Sequence, residues 1–311
     1  MHPSNKISCD YVYGLAEAIR DSVCRVPQIV SVDNDNISVI DDEETKTFNS
    51  FKSLLSQSVI PYQDVIQNDE VMHYLVRSSH EKLTEIRNVN PDAAGLIVAS
   101  SVEHARSIAR LMKNSFNENA SVVTYRENES THIIQQFRDA STSWIISVGM
   151  ISEGTNIPRL QVCCHLTNIK TEMHFRQILG RILRMTGSKN QEAVMYMPAE
   201  PKLLEYAYRV KQDVPFEADV VRFDKMKARE EDKSEVSGDV SFDKTTEETG
   251  KSKLPSIEFG DIFDNKEVIN LDEPEVDSFE EHFLTTSYEK VVNIFGRFKQ
   301  ESIERSLSEL R

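Results

Sequence analysis

Ala94-Gly95-Leu96-Ile97-Val98-Ala99-Ser100-Ser101-Val102-Glu103-His104-Ala105 sets an uninterrupted apolar run directly before an amphipathic one. Leu96 to Ala99 is short and apolar at every position, which is the pattern of a strand buried on both faces. Glu103 to Phe116 instead has the three-to-four spacing of a helix. The alternation continues downstream: strand Ser121 to Tyr125, helix Thr131 to Arg138, strand Trp144 to Val148, strand Gln161 to Leu166, helix Glu172 to Arg184, strand Ala193 to Met197 and helix Lys202 to Val210. Short apolar strands separated by helices predict an α/β fold with a parallel sheet covered on both faces. Functional loops of such sheets are expected beyond the carboxyl ends of the strands, and the loop Gly149 to Pro158 is placed there.

Upstream, Tyr11 to Asp21 reads as a helix. Val26 to Val32 and Ile37 to Ile40 read as two strands of a β-hairpin around the turn Asp33-Asn34-Asp35-Asn36. Phe51 to Val59 and Val65 to Arg87 carry helical patterning.

Two stretches carry chemistry. Gln177-Ile178-Leu179-Gly180-Arg181-Ile182-Leu183-Arg184 puts Gln177, Arg181 and Arg184 on one helical stripe and four aliphatic side chains on the other. Two guanidiniums and an amide on a rigid apolar back suit multidentate contact with phosphate oxygens. About twenty residues earlier, Ser147-Val148-Gly149-Met150-Ile151-Ser152-Glu153-Gly154-Thr155-Asn156-Ile157-Pro158-Arg159-Leu160 runs from a strand into a Gly- and Pro-punctuated loop. The loop and the arginine stripe are expected to line the same open edge of the sheet.

E-G-x-[DN]-I-P followed by Q-x-x-G-R-x-x-R resembles motifs V and VI of superfamily 2 helicases and translocases. Ala94 to Ala105 looks like motif IV, and Ile133-Ile134-Gln135-Gln136-Phe137-Arg138 like the helix after it. The order is that of the family, in the kind found with type I restriction subunits and on phages, and the resemblance covers roughly residues 7 to 210. It implies a RecA-like second motor lobe. Arg181 and Arg184 would act as arginine fingers with Gln177, while Glu153, Gly154, Asn156 and Gly180 would couple nucleotide to nucleic acid. Ser100, Ser101 and Thr124, at strand ends, would contact a DNA backbone. Asn156 stands where the family usually has Asp, so a negative charge is missing there. In that family a Y-x-Y-G-x-A-x-A-I-R-D segment followed by C-R-x-P, here Tyr11 to Asp21 and Cys24 to Pro27, falls after the first motor lobe.

An ATP-driven motor of this class also needs a phosphate-cradling G-x-x-x-x-G-K-[ST] loop and an acidic box for magnesium. Gly250-Lys251-Ser252 lacks the first glycine and a preceding strand, and no D-E-A-H box occurs. ATP and Mg2+ are therefore expected only in complex with a complementary first RecA-like lobe on a separate chain, with none bound by this chain alone, which should be inactive by itself. The alternative is a non-catalytic remnant or regulatory module acting through its acidic tail and C-terminal helix.

The chain has 311 residues and a formal net charge of −15. Residues 224 to 281 hold 19 Asp and Glu against 8 Lys and Arg, a net of −11 that leaves −4 for everything else. A nearly neutral lobe is compatible with a local nucleic-acid face. Cys9, Cys24, Cys163 and Cys164 show no zinc spacing, so no metal site is expected. No stretch approaches a membrane span and no leader is evident, pointing to a cytoplasmic protein. The expected divisions are a lobe-junction segment at 1–90, the RecA-like lobe at 91–215, an acidic disordered linker at 216–281 and an amphipathic helix at 282–311.

Overall fold

The computed structural model describes residues 13–41, 44–125, 130–149, 156–187, 192–215, 218–226 and 256–259. The expected C-terminal helix, the Gly250-Lys251-Ser252 stretch and most of the acidic segment lie outside the described residues.

Seven strands form one parallel sheet. In chain order they are β1 (Pro27–Asp33), β4 (Ala94–Ala99), β5 (Ala120–Thr124), β6 (Trp144–Val148), β7 (Leu160–Leu166), β8 (Ala193–Pro198) and β9 (Val221–Lys225). Their order across the sheet is β5-β6-β4-β7-β8-β1-β9. Every residue of β4, β6 and β7 is buried, including the polar Ser147, Gln161 and His165.

The main helices are α4 (Asp69–Arg87), α5 (Val102–Phe116), α6 (Ser130–Asp139), α7 (Glu172–Ile182) and α8 (Pro201–Gln212). Adjacent residues of β7 show that both faces are covered. The Cys164 thiol meets Ser79 of α4, whereas the next ring, His165, lies against His174 and Phe175 of α7. Successive strand residues point to opposite faces, so α4 and α7 sandwich the sheet.

A smaller antiparallel sheet, in the order β10-β2-β3, comprises β2 (Ile37–Asp41), β3 (Glu44–Phe48) and β10 (Ser256–Phe259). This corrects the hairpin read at Asp33 to Asn36, because β1 and β2 belong to different sheets and β2 turns back onto β3. The reason is local: Asp33 Oδ1 accepts from the backbone N–H groups of Asn34 and Phe51 at 2.8 and 2.7 Å, and Asn34 Oδ1 accepts from Asn36 N–H at 2.8 Å. Those side-chain turns steer the chain out of one sheet and into the other.

Two expected divisions also shift. β1 pairs with β8 and β9, so the sheet begins at residue 27 and no boundary falls at 91. The segment expected as linker from 216 enters the main sheet as β9 and the small sheet as β10. The patterned run Val65 to Arg87 is two helices, α3 (Tyr62–Gln67) and α4, divided at Asn68, whose side chain caps α4. The other helices before the main sheet's centre are α1 (Leu15–Arg20) and α2 (Phe51–Gln57).

Gly95 faces Trp144 across the β4–β6 pair, and a Cβ there would lie 2.2 Å from the indole Cζ3. Trp144 is fully buried, so the ring cannot step aside cheaply. Gly95→Ala is expected to destabilise the lobe by about 3 kcal/mol, at the upper end of overpacking costs. A urea midpoint equal to that of the parent would show that the contact relaxes freely.

Candidate functional site

The chemistry expected on one helical stripe is split by the end of α7. Thr171 caps its start, with the hydroxyl accepting from His174 N–H, and Phe175, Ile178, Leu179 and Ile182 bury its inner face. An ion-pair network holds its outer side: Glu172 accepts from Arg176 at 2.8 Å and from Arg209 of α8 at 2.5 Å, and Arg176 reaches Asp213 at 2.6 Å. The helix ends at Ile182 rather than at residue 184. Arg184 lies beyond the cap in an antiparallel bridge with Cys24, while Arg25 N–H donates to the Leu183 carbonyl at 2.6 Å. Gln177 and Arg181 therefore share a stripe, half-buried, and Arg184 projects separately.

Arg184 nevertheless meets the loop expected to accompany it. Its Nη1 donates to Asn156 Oδ1, and Asn156 is exposed. Buried Ile157 seats this end of the loop, just before β7. The other loop end departs at Gly149, where φ is +71°, beyond β6. Placing the whole loop at the carboxyl ends is thus corrected. A parallel crossover must return to the edge where strands start, so Asn156 lies at the amino edge, as does Arg184, which follows α7 and precedes β8. Glu153 and Gly154 fall outside the described residues.

The same edge holds a residue to which the sequence reading gave no role. Arg25, 2 % exposed, precedes β1 and donates to the carbonyls of Leu160 and Ile182 and to the Thr186 hydroxyl. Burial brings its pKa down to about 10, so it stays charged at neutral pH. The C-R-x-P signal was present, but nothing local said where that side chain would go. A cleft of about 590 Å³ opens beside it, lined by Asp92, Arg138, Arg159 and Thr186 among others. At Gly180, a Cβ would meet nothing within 4 Å among the described residues, so their packing does not demand glycine there.

The expected nucleic-acid contacts lie at the opposite, carboxyl edge, about 20 Å away along six-residue β4. Their hydroxyls are differently placed. Ser101 caps α5, accepting from His104 N–H at 3.1 Å, and Thr124 is 1 % exposed. Ser100 N–H points at His104 Nδ1 at 3.3 Å, and the Ser100 hydroxyl lies 2.8 Å from the same nitrogen. Burial pushes His104 down to about 4, so its ring is neutral and Nδ1 accepts. Ser100 Oγ, donating to the ring, is left as an acceptor and receives Gln67 Nε2 at 3.2 Å. An outward donor at this strand end is therefore the amide of exposed Gln67 on α3, which lies between the C-R-x-P segment and the Ala94 to Ala105 stretch and outside both.

Among the described residues, no group of three or more His, Cys, Asp or Glu side chains is arranged to hold a metal ion, and no helix is long and apolar enough to cross a membrane.

Comparison with known proteins places part of this chain among helicase-like sequences. Residues 78–186 match the helicase conserved C-terminal domain. An uncharacterized protein of Mycobacterium tuberculosis, Rv2917, is 29 % identical over 202 residues, spanning 64 % of this chain. The putative ATP-dependent helicase IRC3 of Saccharomyces cerevisiae is 28 % identical over 88 residues, covering 28 % of this chain and 13 % of that protein. Among solved structures, a fragment of a putative type I restriction HsdR subunit from Vibrio vulnificus aligns with a TM-score of 0.48 at 15 % identity, over 70 % of this chain and 39 % of that one. The matched stretch, residues 78–186, runs from within α4 to just beyond α7 and so lies within the parallel α/β sheet and its helices. The chain spans about a third of the mycobacterial relative, 33 % of its length.

Proposed function

We propose that this chain supplies the second motor lobe of an ATP-dependent superfamily 2 helicase or translocase. Arg181 and Arg184 reach the phosphates of ATP held by a first lobe that lies outside these 311 residues, Gln177 helps to order them, and the loop through Glu153, Gly154 and Asn156 couples nucleotide state to nucleic acid at the carboxyl edge. The observation that carries this reading is the Arg184–Asn156 hydrogen bond, which joins the two motif segments at one edge. Among the described residues, nothing fills the space beside Gly180, which supports close approach to that face of α7.

Gln177, Arg181, Arg184 and Asn156 fit phosphate oxygens, since guanidinium and amide N–H groups are donors. These four side chains do not fit magnesium, which takes carboxylate and phosphate oxygens. The metal and the ground-state grip on the triphosphate belong to the first lobe, and this lobe acts as charge develops in transfer. IRC3, to which 88 residues of this chain are similar, is described as a putative ATP-dependent helicase, in keeping with a role in ATP-driven work.

The test is ATP turnover by the chain alone and by the chain combined with a Walker-loop-bearing first lobe, each with single-stranded and duplex DNA and RNA. Turnover is expected only from the combination, stimulated by nucleic acid. Nucleic-acid-stimulated hydrolysis by the 311 residues alone, or none by the combination, overturns the proposal.

A further inference from the structure

Arg25 lies outside the arginine stripe and the coupling loop, yet its guanidinium joins three segments of the amino edge. Nη1 donates to the carbonyls of Leu160 and Ile182, both at 2.9 Å, and Nη2 to the Thr186 hydroxyl at 3.3 Å. Ile182 is the last residue of α7, where a carbonyl has no donor within its own helix. Arg25 provides that donor and sets a positive charge at the negative end of the helix dipole. Leu160 opens β7, only four positions after Asn156. One buried fork thus ties the end of the arginine helix to the end of the coupling loop.

We infer that Arg25 is a positioning residue for the arginine pair: by fixing the end of α7 against the start of β7, it sets the direction in which Arg184 leaves the helix toward Asn156. The inference rests on the nucleotide-facing reading of Arg181 and Arg184 above. A guanidinium is required because its rigid planar fork reaches acceptors on three segments at once, whereas a lysine ammonium is a single compact donor on a flexible stem.

Arg159 provides the internal comparison. It is a second, half-buried arginine at the same edge, donating to the carbonyls of Asp92, Phe137 and Thr142 at 3.3, 2.7 and 2.7 Å. Those bonds tie α6 to the approaches of β4 and β6, away from α7.

Arg25→Lys and Arg159→Lys are compared first in the chain itself by amide hydrogen exchange, then in the motor combined with a first lobe by steady-state ATP turnover. The Met185 N–H, bonded to the Val23 carbonyl at 3.2 Å, reports on the segment after α7. Arg25→Lys is expected to speed exchange at residues 183–186 at least tenfold relative to α5. It should also lower kcat at least tenfold with KM for ATP within twofold, while Arg159→Lys leaves exchange at 183–186 unchanged. Unchanged exchange at 183–186 in Arg25→Lys, or an equal acceleration there in Arg159→Lys, overturns the inference. Should Arg25→Lys fail to fold by far-UV circular dichroism, Thr186→Val removes one of the three acceptors instead. About a threefold loss of kcat is then expected, and none overturns the inference. Arg184→Ala in the same assay separates the two levels. Full turnover in that variant sinks the arginine reading itself, whereas a severe loss there with none in Arg25→Lys sinks the positioning role alone.

Discussion

On the proposed reading, Arg184→Ala is expected to lower ATP turnover of the chain combined with a first lobe by about three decades, equivalent to about 4 kcal/mol of transition-state stabilisation, with KM for ATP within about twofold. The asymmetry follows from where the donors sit. Arg184 is held by a neutral amide, Asn156 Oδ1, so the guanidinium keeps its full charge for a phosphate whose oxygens become more negative during transfer. Ground-state affinity comes from the other lobe and is left intact. Arg181→Ala is expected to behave alike, because Arg181 shares the α7 stripe with Gln177. Arg77→Ala is the control: that side chain is half exposed on α4 and paired with Glu81 one turn away. A comparable loss there, or a loss for Arg184→Ala confined to KM, would show that the effect is not that of a charge aimed at the transferring group.

The contrast between Arg184 and its neighbours shows what a linear sequence carries. Strand Trp144–Val148 is legible to the residue, because a strand buried on both faces is mostly apolar, here at all but Ser147, and its flanks are polar. The helix before Arg184 is legible too, but not its end. Apolar periodicity runs smoothly through Leu183, and the helix stops because Cys24 and Arg25, some 160 positions earlier, capture the Leu183 and Ile182 carbonyls and bridge Arg184. Tertiary pairing overrides local propensity there.

β1 fails to announce itself for the same reason. Pro27–Asp33 has strand character, yet nothing near it specifies partners in β8 and β9. The nearest turn signal, Asp33-Asn34-Asp35-Asn36, invites the wrong pairing because its side chains cap backbone N–H groups rather than close a hairpin. Among the candidate contacts, Ser101 is absorbed as a helix cap and Thr124 by burial, and both roles depend on packing that spacing does not encode.

Acid is expected to remove stability from this lobe well before its carboxylates titrate, with His165 and His104 contributing comparably. The His165 ring is fully buried in mid-sheet, and neither nitrogen has a hydrogen-bond partner among the described residues. Burial, with a smaller contribution from neighbouring His174, pushes its pKa down to about 3. Burial takes His104 down to about 4 and lowers His174 as well. An unfolded histidine takes up its proton near pH 6.5, so below that value the unfolded chain binds protons that the folded chain refuses. Stability is therefore whole above about pH 6.5 and falls with decreasing pH until the folded pKa values are reached. Each pH unit in that window costs about 1.4 kcal/mol per excluded proton, so His165 alone removes roughly 2–3 kcal/mol between pH 6.5 and 4.5. Urea unfolding at pH 7 and 4.5 measures the slope. His165→Leu should flatten it by that amount and raise stability at both pH values, since a buried imidazole without partners gives way to an apolar side chain of similar size. A parent whose stability is equal at the two pH values, or a His165→Leu variant with the parental slope, would remove the buried ring as a source of acid sensitivity.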